Sequence, residues 1–301
     1  MSVANGEQWI TYEWYVEGND FKSVFLVRPD GSGEHVIAGN LPGEHRGPAW
    51  SPDGKRIAFV NIDAEAPDGT LWLMDADGSN AERLVDPKGE CVASYWPAWS
   101  PDGHQIAFVC YRDEDDSFAT IDLASGTIKR LTTVKFPDHF DNPPTWSPDG
   151  KTIAFDLQHW DPTGTFLDGS RLGTIASTGG DVTWLTELSS FTAWPDWDPT
   201  KDLIAYNTYD LGQMHEVDHP SNLWTMRSDG TDPKQITNTT NPAQVRAAQA
   251  RWLPDGSGLI LSCGHGNPVD DVVLCRTDPS TGVLLFDGLP HGARPDMRPT
   301  P

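Results

Sequence analysis

The segment Pro48-Ala49-Trp50-Ser51-Pro52-Asp53-Gly54-Lys55-Arg56-Ile57-Ala58-Phe59 leaves the chain few options for folding. Two apolar stretches flank Pro52-Asp53-Gly54, which supplies a fixed φ, a side chain that bonds its own backbone, and a residue tolerant of positive φ. Ile57-Ala58-Phe59-Val60 reads as a strand buried on both faces, so the unit is a β-hairpin. It recurs. Pro97-Ala98-Trp99-Ser100-Pro101-Asp102-Gly103 precedes Ile106-Ala107-Phe108-Val109, and Pro144-Thr145-Trp146-Ser147-Pro148-Asp149-Gly150 precedes Ile153-Ala154-Phe155. Degraded copies stand at Pro195-Asp196-Trp197-Asp198-Pro199 and Trp252-Leu253-Pro254-Asp255-Gly256. Trp50, Trp99, Trp146, Trp197 and Trp252 lie 49, 47, 51 and 55 residues apart. Self-similarity at about 40–50 residues, built only of strand and turn, is the signature of propeller blades.

Each copy predicts four strands: the Trp strand, the Ile-Ala-Phe strand, a third, and a fourth. The third strands are Leu71-Trp72-Leu73-Met74, Phe118-Ala119-Thr120-Ile121, Gly173-Thr174-Ile175, Leu223-Trp224-Thr225-Met226 and Val272-Val273-Leu274. The first forty residues hold only three strands, with no Pro-x-Trp hairpin before them. Pro295-Asp296-Met297-Arg298-Pro299 matches Pro48 to Pro52 position for position, with Met297 in place of the tryptophan. A ring has a seam, and a last strand that completes the first blade removes two free sheet edges. The expectation is therefore an all-β, six-bladed propeller in one domain spanning 1–301. Blade 1 takes 8–40 plus 294–299, and blades 2 to 6 take 46–88, 95–134, 142–188, 193–240 and 247–287.

These repeats resemble the TolB-like six-bladed propellers, whose units carry Trp-Ser-Pro-Asp-Gly hairpins and Asp-Gly turns after the third strand. TolB carries an α/β domain ahead of its propeller, for which no residues are left here. The prolyl oligopeptidase group adds an α/β-hydrolase domain, and no G-x-S-x-G occurs in this chain. A weaker, local resemblance is to oligogalacturonate lyases, built from similar repeats, with manganese held by histidines and a glutamine.

Lys+Arg 21 against Asp+Glu 44 gives a formal charge of −23, which argues against nucleic acid and anionic membrane as partners. No apolar run approaches the ~18 residues that a spanning helix needs. With no basic-then-apolar leader after Met1, the sequence as it stands reads as cytoplasmic, or as periplasmic or secreted if a leader was removed. Cys91, Cys110, Cys263 and Cys275 show no metal-type spacing; their even count permits disulfides, but they read first as isolated buried thiols.

In a four-stranded blade the a–b and c–d turns share one face, here the short Pro-Asp-Gly and Asp-Gly turns. The b–c loops and blade connections share the other, where binding residues concentrate. Seven of the nine histidines fall there: His45, His139, His159, His215, His219, His265 and His291. So do Tyr95, Trp96, Trp160 and Trp194, aromatics suited either to stacking on a ligand or to wedging between blades. Arg46 and Arg294, with Arg246, are available for a substrate carboxylate. His215, His219 and His265 come from adjacent blades and form a candidate divalent-metal set, and Gln249 falls where the lyase resemblance implies a further ligand.

A last expectation concerns the residue before each tryptophan. Asp296, Ala49, Ala98, Thr145, Asp196 and Arg251 should form one layer at the channel, with Arg251 bridging Asp196 and Asp296. The leading functional reading is a binding propeller that takes a small molecule, glycan or protein segment on its loop face. The alternative is a metal-assisted lyase or hydrolase acting on a carbohydrate-like substrate.

Overall fold

The structure, a computed structural model, describes residues 7–112, 115–188, 191–209, 221–238, 246–264, 272–277, 279–280, 284–285 and 291–299. In chain order the strands are β1 (Ile10–Tyr15), β2 (Lys22–Val27), β3 (His35–Val36), β4 (Glu44–Trp50), β5 (Arg56–Ile62), β6 (Thr70–Asp75), β7 (Glu82–Arg83), β8 (Ala93–Trp99), β9 (Gln105–Arg112), β10 (Asp115–Asp122) and β11 (Ile128–Lys135). There follow β12 (Asp138–His139), β13 (Thr145–Trp146), β14 (Thr152–Trp160), β15 (Leu167–Ala176), β16 (Thr183–Trp184), β17 (Phe191–Trp197), β18 (Ile204–Tyr209), β19 (Ser221–Met226) and β20 (Lys234–Gln235). The last are β21 (Arg246–Trp252), β22 (Leu259–Gly264), β23 (Val272–Thr277), β24 (Leu284–Leu285) and β25 (Ala293–Met297).

They form six antiparallel sheets. Blade 1 runs β25-β1-β2-β3, so the chain end closes the ring on its own beginning, with Ile10 opposite Met297 and Thr11 opposite Asp296. Blade 4 carries an additional short strand, since β12 and β13 both pair with β14.

The repeated residues explain themselves in the packing. Within each full hairpin, Ser51 Oγ accepts the Arg56 N–H at 2.9 Å and donates to Asp53 at 2.7 Å; Ser100 and Ser147 repeat the pattern. Each tryptophan ring fills the gap to the preceding blade, and three of them donate their indole N–H to it. Trp99 bonds the Ala49 carbonyl at 3.1 Å, Trp146 that of Ala98 at 3.0 Å, and Trp252 that of Asp196 at 3.1 Å. An apolar body with one donor at its tip is what a blade interface with one spare carbonyl requires. The inner faces of adjacent sheets then build the cores, as where Leu71, Leu73 and Val85 of blade 2 meet Trp99, Phe108 and Ile121 of blade 3.

The cysteine expectation is corrected here. Cys91–Cys110 and Cys263–Cys275 are disulfides, and no free cysteine occurs among the described residues. Cys91 lies just ahead of β8 and Cys110 on β9, so the first bridge pins the entry to blade 3; the second ties β22 to β23.

Candidate functional site

The innermost strands share a feature with no sequence label. Three residues before the Trp position, Gly47, Trp96, Trp194, Gln249 and Arg294 all adopt left-handed φ between 52° and 61°. At each of these sites the ladder slips by a residue, as between Arg46 and Ala49 on β4 and between Tyr95 and Ala98 on β8. Blade 4 has Pro143 at that position; proline cannot take positive φ, and there the inner strand breaks into β12 and β13. The second strand of the preceding blade holds several of these bulges. Glu13 accepts the Gly47 N–H at 2.8 Å, and Ser262 accepts that of Arg294 at 3.3 Å.

This ring crowds the channel near the loop face. Trp96, Trp194, Gln249 and Arg294, with the prolines beside them, surround only about 30 Å³, room for a water or two. The Arg294 guanidinium lies 4.1 Å over the Trp96 ring and pairs with fully buried Glu13 at 2.5 Å, while Lys22 reaches the same carboxylate at 3.2 Å. Burial alone would raise the Glu13 pKa; the charges of Arg294 and Lys22 and the Gly47 hydrogen bond outweigh it and hold the carboxyl below the usual range. Gln249 is occupied as well, its Oε1 accepting from Ser262 Oγ at 3.1 Å and from the Arg294 N–H at 3.2 Å.

Toward the turn face the channel widens to a cavity of about 340 Å³ lined by the layer of Asp296, Ala49, Ala98, Thr145, Asp196 and Arg251. Arg251 Nη1 bonds Asp196 Oδ1 at 2.8 Å. The expected double bridge is not what forms, because Asp296 turns its Oδ2 to the Trp50 N–H at 2.7 Å and acts on Arg251 through its charge alone. Asp196 likewise accepts the Trp252 N–H at 2.7 Å, and Thr145 the Trp197 N–H at 3.1 Å. The layer therefore staples blade 1 to blade 2, blade 4 to blade 5 and blade 5 to blade 6, a role that needs an acceptor beside the tryptophan. Burial raises the pKa of both aspartates, that of Asp296 to about 6, against the opposing charge of Arg251.

The remaining candidates divide. His45 faces inward on β4, 1 % exposed, sharing a hydrogen bond with Ser23 Oγ at 3.0 Å and meeting Phe59 edge-on; burial lowers its pKa to about 4. It belongs to the core rather than to a loop. Arg46 pairs with Glu44 at 2.9 Å, and His291 stacks on Trp14 across the seam. His215, His219 and His265 lie outside the described residues.

His139 and Trp160 do come together, in a cleft of about 280 Å³ on the loop face where blades 3 and 4 meet. Its other walls are Tyr111, Phe136, Asp141, Gln158 and Gly164. Tyr95 packs edge-on behind Tyr111, whose hydroxyl donates to the Phe140 carbonyl at 2.8 Å. His139 Nδ1 is 2.6 Å from Asp116, and His159 Nδ1 is 2.6 Å from Asp138. Both histidines and Trp160 sit on β12 and β14 rather than in loops, at the ends of strands that open onto this face. Burial raises the pKa of Asp116 against the His139 hydrogen bond. Asp141 stands exposed at the cleft, within reach of the charges of Arg294 and His139. Beneath them Asp156 is fully buried and accepts from Asn142 Nδ2 at 2.9 Å; burial pushes its pKa up to about 7. Phe136, Asp141 and Gln158 carry no sequence mark, although Asp141 falls in the irregular connection Asp138-His139-Phe140-Asp141-Asn142.

A family model described as the TolB beta propeller domain matches residues 7–155 and 45–216. The chain belongs to that family. TolB from Acinetobacter baumannii superposes with a TM-score of 0.72 at 18% identity, over 98% of this chain and 67% of that one. The Tol-Pal system protein TolB of Zymomonas mobilis is 34% identical over 64 residues, which is 21% of this chain and 14% of that protein. An oligogalacturonate lyase in complex with manganese superposes with a TM-score of 0.57 at 16% identity, over 94% of this chain and 74% of that one. At such identities the structural likenesses show a shared fold. Among the described residues no group of three or more histidine, cysteine, aspartate or glutamate side chains is arranged to hold a metal, and no helix is long and apolar enough to cross a membrane.

Proposed function

We propose that this TolB-family propeller is a binding module whose loop face docks a partner polypeptide. The observation that carries the reading is the sorting of exposed apolar side chains. Of the seven large ones among the described residues, six (Tyr15, Phe21, Val92, Phe136, Phe166 and Leu188) lie in or beside b–c loops and blade connections. Only Trp184, on a fourth strand, lies elsewhere. Apolar surface gathered on one face of a rigid scaffold marks a macromolecular contact. The turn face carries Asp, Ser, Lys and Gly. Two disulfides favour an oxidising compartment for this contact.

A photo-reactive phenylalanine analogue at position 166, and at Lys151 on the turn face as control, tests the reading in the native host. Discrete adducts should form from position 166 and not from 151; adducts from 151 alone would contradict it. The alternative, a metal-assisted lyase or hydrolase using His215, His219 and His265, predicts a stoichiometric divalent ion in protein purified without a nickel column.

A further inference from the structure

The cleft between blades 3 and 4 holds groups that neither the ring packing nor the blade staples use. Asp141 stands on its wall and makes no hydrogen bond or ion pair among the described residues. Its acidic neighbours are matched: Asp116 by His139 and Asp138 by His159, each at 2.6 Å, and Asp115 by Lys135 at 3.1 Å. Gln158 is 5% exposed, lines the same cavity, and bonds no described residue through its side chain. A buried amide left without a partner beside an open space is suited to a polar group arriving from outside. Three rings, Tyr111, Phe136 and Trp160, complete the walls, and no lysine or arginine is among the lining residues. Arg294, the cation whose charge reaches Asp141, is engaged with Glu13 and the Trp96 ring.

We propose that this cleft is a cation pocket, which takes the ammonium or guanidinium end of a lysine or arginine side chain presented by the partner polypeptide. The inference rests on the reading of the loop face as a docking surface and adds the chemistry of its anchor. Asp141 pairs with the charge, the Gln158 side-chain oxygen accepts one of its N–H groups, and the aromatic rings cover the methylene stem and offer their faces to the cation. A volume of about 280 Å³ admits one such side chain with accompanying water. The formal charge of −23 raises the local concentration of cationic ligands around the whole molecule, and Asp141, which pairs with no described residue, gives them a destination. Neutral ligands gain nothing from either feature.

The test uses the full chain labelled with 5-fluorotryptophan, with the Trp160 fluorine resonance assigned by Trp160→Phe. The probes are the methylamides of Nα-acetyl-lysine and Nα-acetyl-arginine, with Nα-acetyl-norleucine methylamide as an uncharged analogue and cellobiose as the sugar arm. The two cationic probes should shift the Trp160 resonance saturably at low salt, with a Kd on the order of 1 mM for so small a ligand. Binding should weaken at least tenfold in Asp141→Asn, and also in Phe136→Leu, which keeps apolar bulk and removes a ring. Norleucine methylamide and cellobiose should leave the resonance in place. Equal binding to wild type and Asp141→Asn, or an equal shift with norleucine methylamide or cellobiose, overturns the proposal. Because Asp141 bonds no described residue, the Asn variant should melt with the wild type. A failed amine titration with persisting adducts from position 166 would remove the cation pocket and leave the docking face standing.

Discussion

Arg251 bonds one channel carboxylate and feels the charge of a second, and that asymmetry can be measured. Arg251→Met leaves Asp196 and Asp296 without a counter-charge on a partly wetted wall. Removing one member of a buried pair costs about 3–5 kcal/mol, and access of water to the channel brings the expectation here to roughly 2–3 kcal/mol at pH 7. Both carboxyls already have raised pKa values in the native protein, and loss of Arg251 raises them further. A carboxylic acid whose folded pKa lies above its unfolded value binds more protons when folded, so stability falls as pH rises through that window. The variant should therefore recover much of its deficit on acidification from pH 7 to about 5, around the native Asp296 value of about 6. Thermal melts across that range check the sign; a deficit that does not change with pH would mean that packing, not charge, was lost. At this scale the Trp, Pro, Asp and Gly of each hairpin are legible in sequence because their chemistry is local. The left-handed ring is not, since Gly47, Trp96, Trp194, Gln249 and Arg294 share no residue property. Their conformation comes from the slipped ladder and from acceptors on a neighbouring blade.

Strand β25 is the element on which closure depends. It gives Met297 to a core cluster with Ile10, Tyr12 and Val27, Arg294 to Glu13, and Asp296 to the Trp50 N–H; just beyond it, Arg298 donates to the Gly54 carbonyl at 2.7 Å. Deleting everything after Gly292 bares the edge of β1 that β25 covers and, among the described residues, leaves Glu13 with Lys22 as its one ionic partner. The melting temperature should fall by roughly 10 °C or more, given that 1 kcal/mol moves a domain of this size by about 2–4 °C. A truncated chain that melts with the full one would refute the closure. The bridge between Cys91 and Cys110 is an element-scale feature too, as it fixes how the chain enters β8. Reduction should lower stability by about 3 kcal/mol from loop entropy, and unreduced, denatured protein should show no titratable thiol. Strand order and seam are readable from the repeat, because each copy must supply the same four strands. Disulfide pairing is not, because partners 19 and 12 residues apart meet through ladder register that no local spacing displays.

The whole molecule is a ring with two unlike faces. The turn face carries a wide channel mouth whose polar residues staple blades together; the loop face carries a narrowed mouth, the exposed apolar side chains and the cleft at Asp141. The division into faces is legible from loop lengths alone. The role of each loop-face residue is not. His45 turns into the core through the alternation of β4, whereas His139 at a strand end opens onto the cleft, and nothing in their flanking sequence separates them. If the loop face is the docking surface, replacing Phe136, Phe166 and Leu188 with serine should abolish partner capture without unfolding the ring, since all three are exposed. The most direct test is quantitative co-purification from the native host. It compares the wild type, this triple variant, and a turn-face variant carrying Lys55→Glu and Lys151→Glu. The account predicts proteins that co-purify with the wild type and the turn-face variant and are lost from the triple serine variant at unchanged melting temperature. Loss from the turn-face variant, with retention by the serine variant, would contradict it.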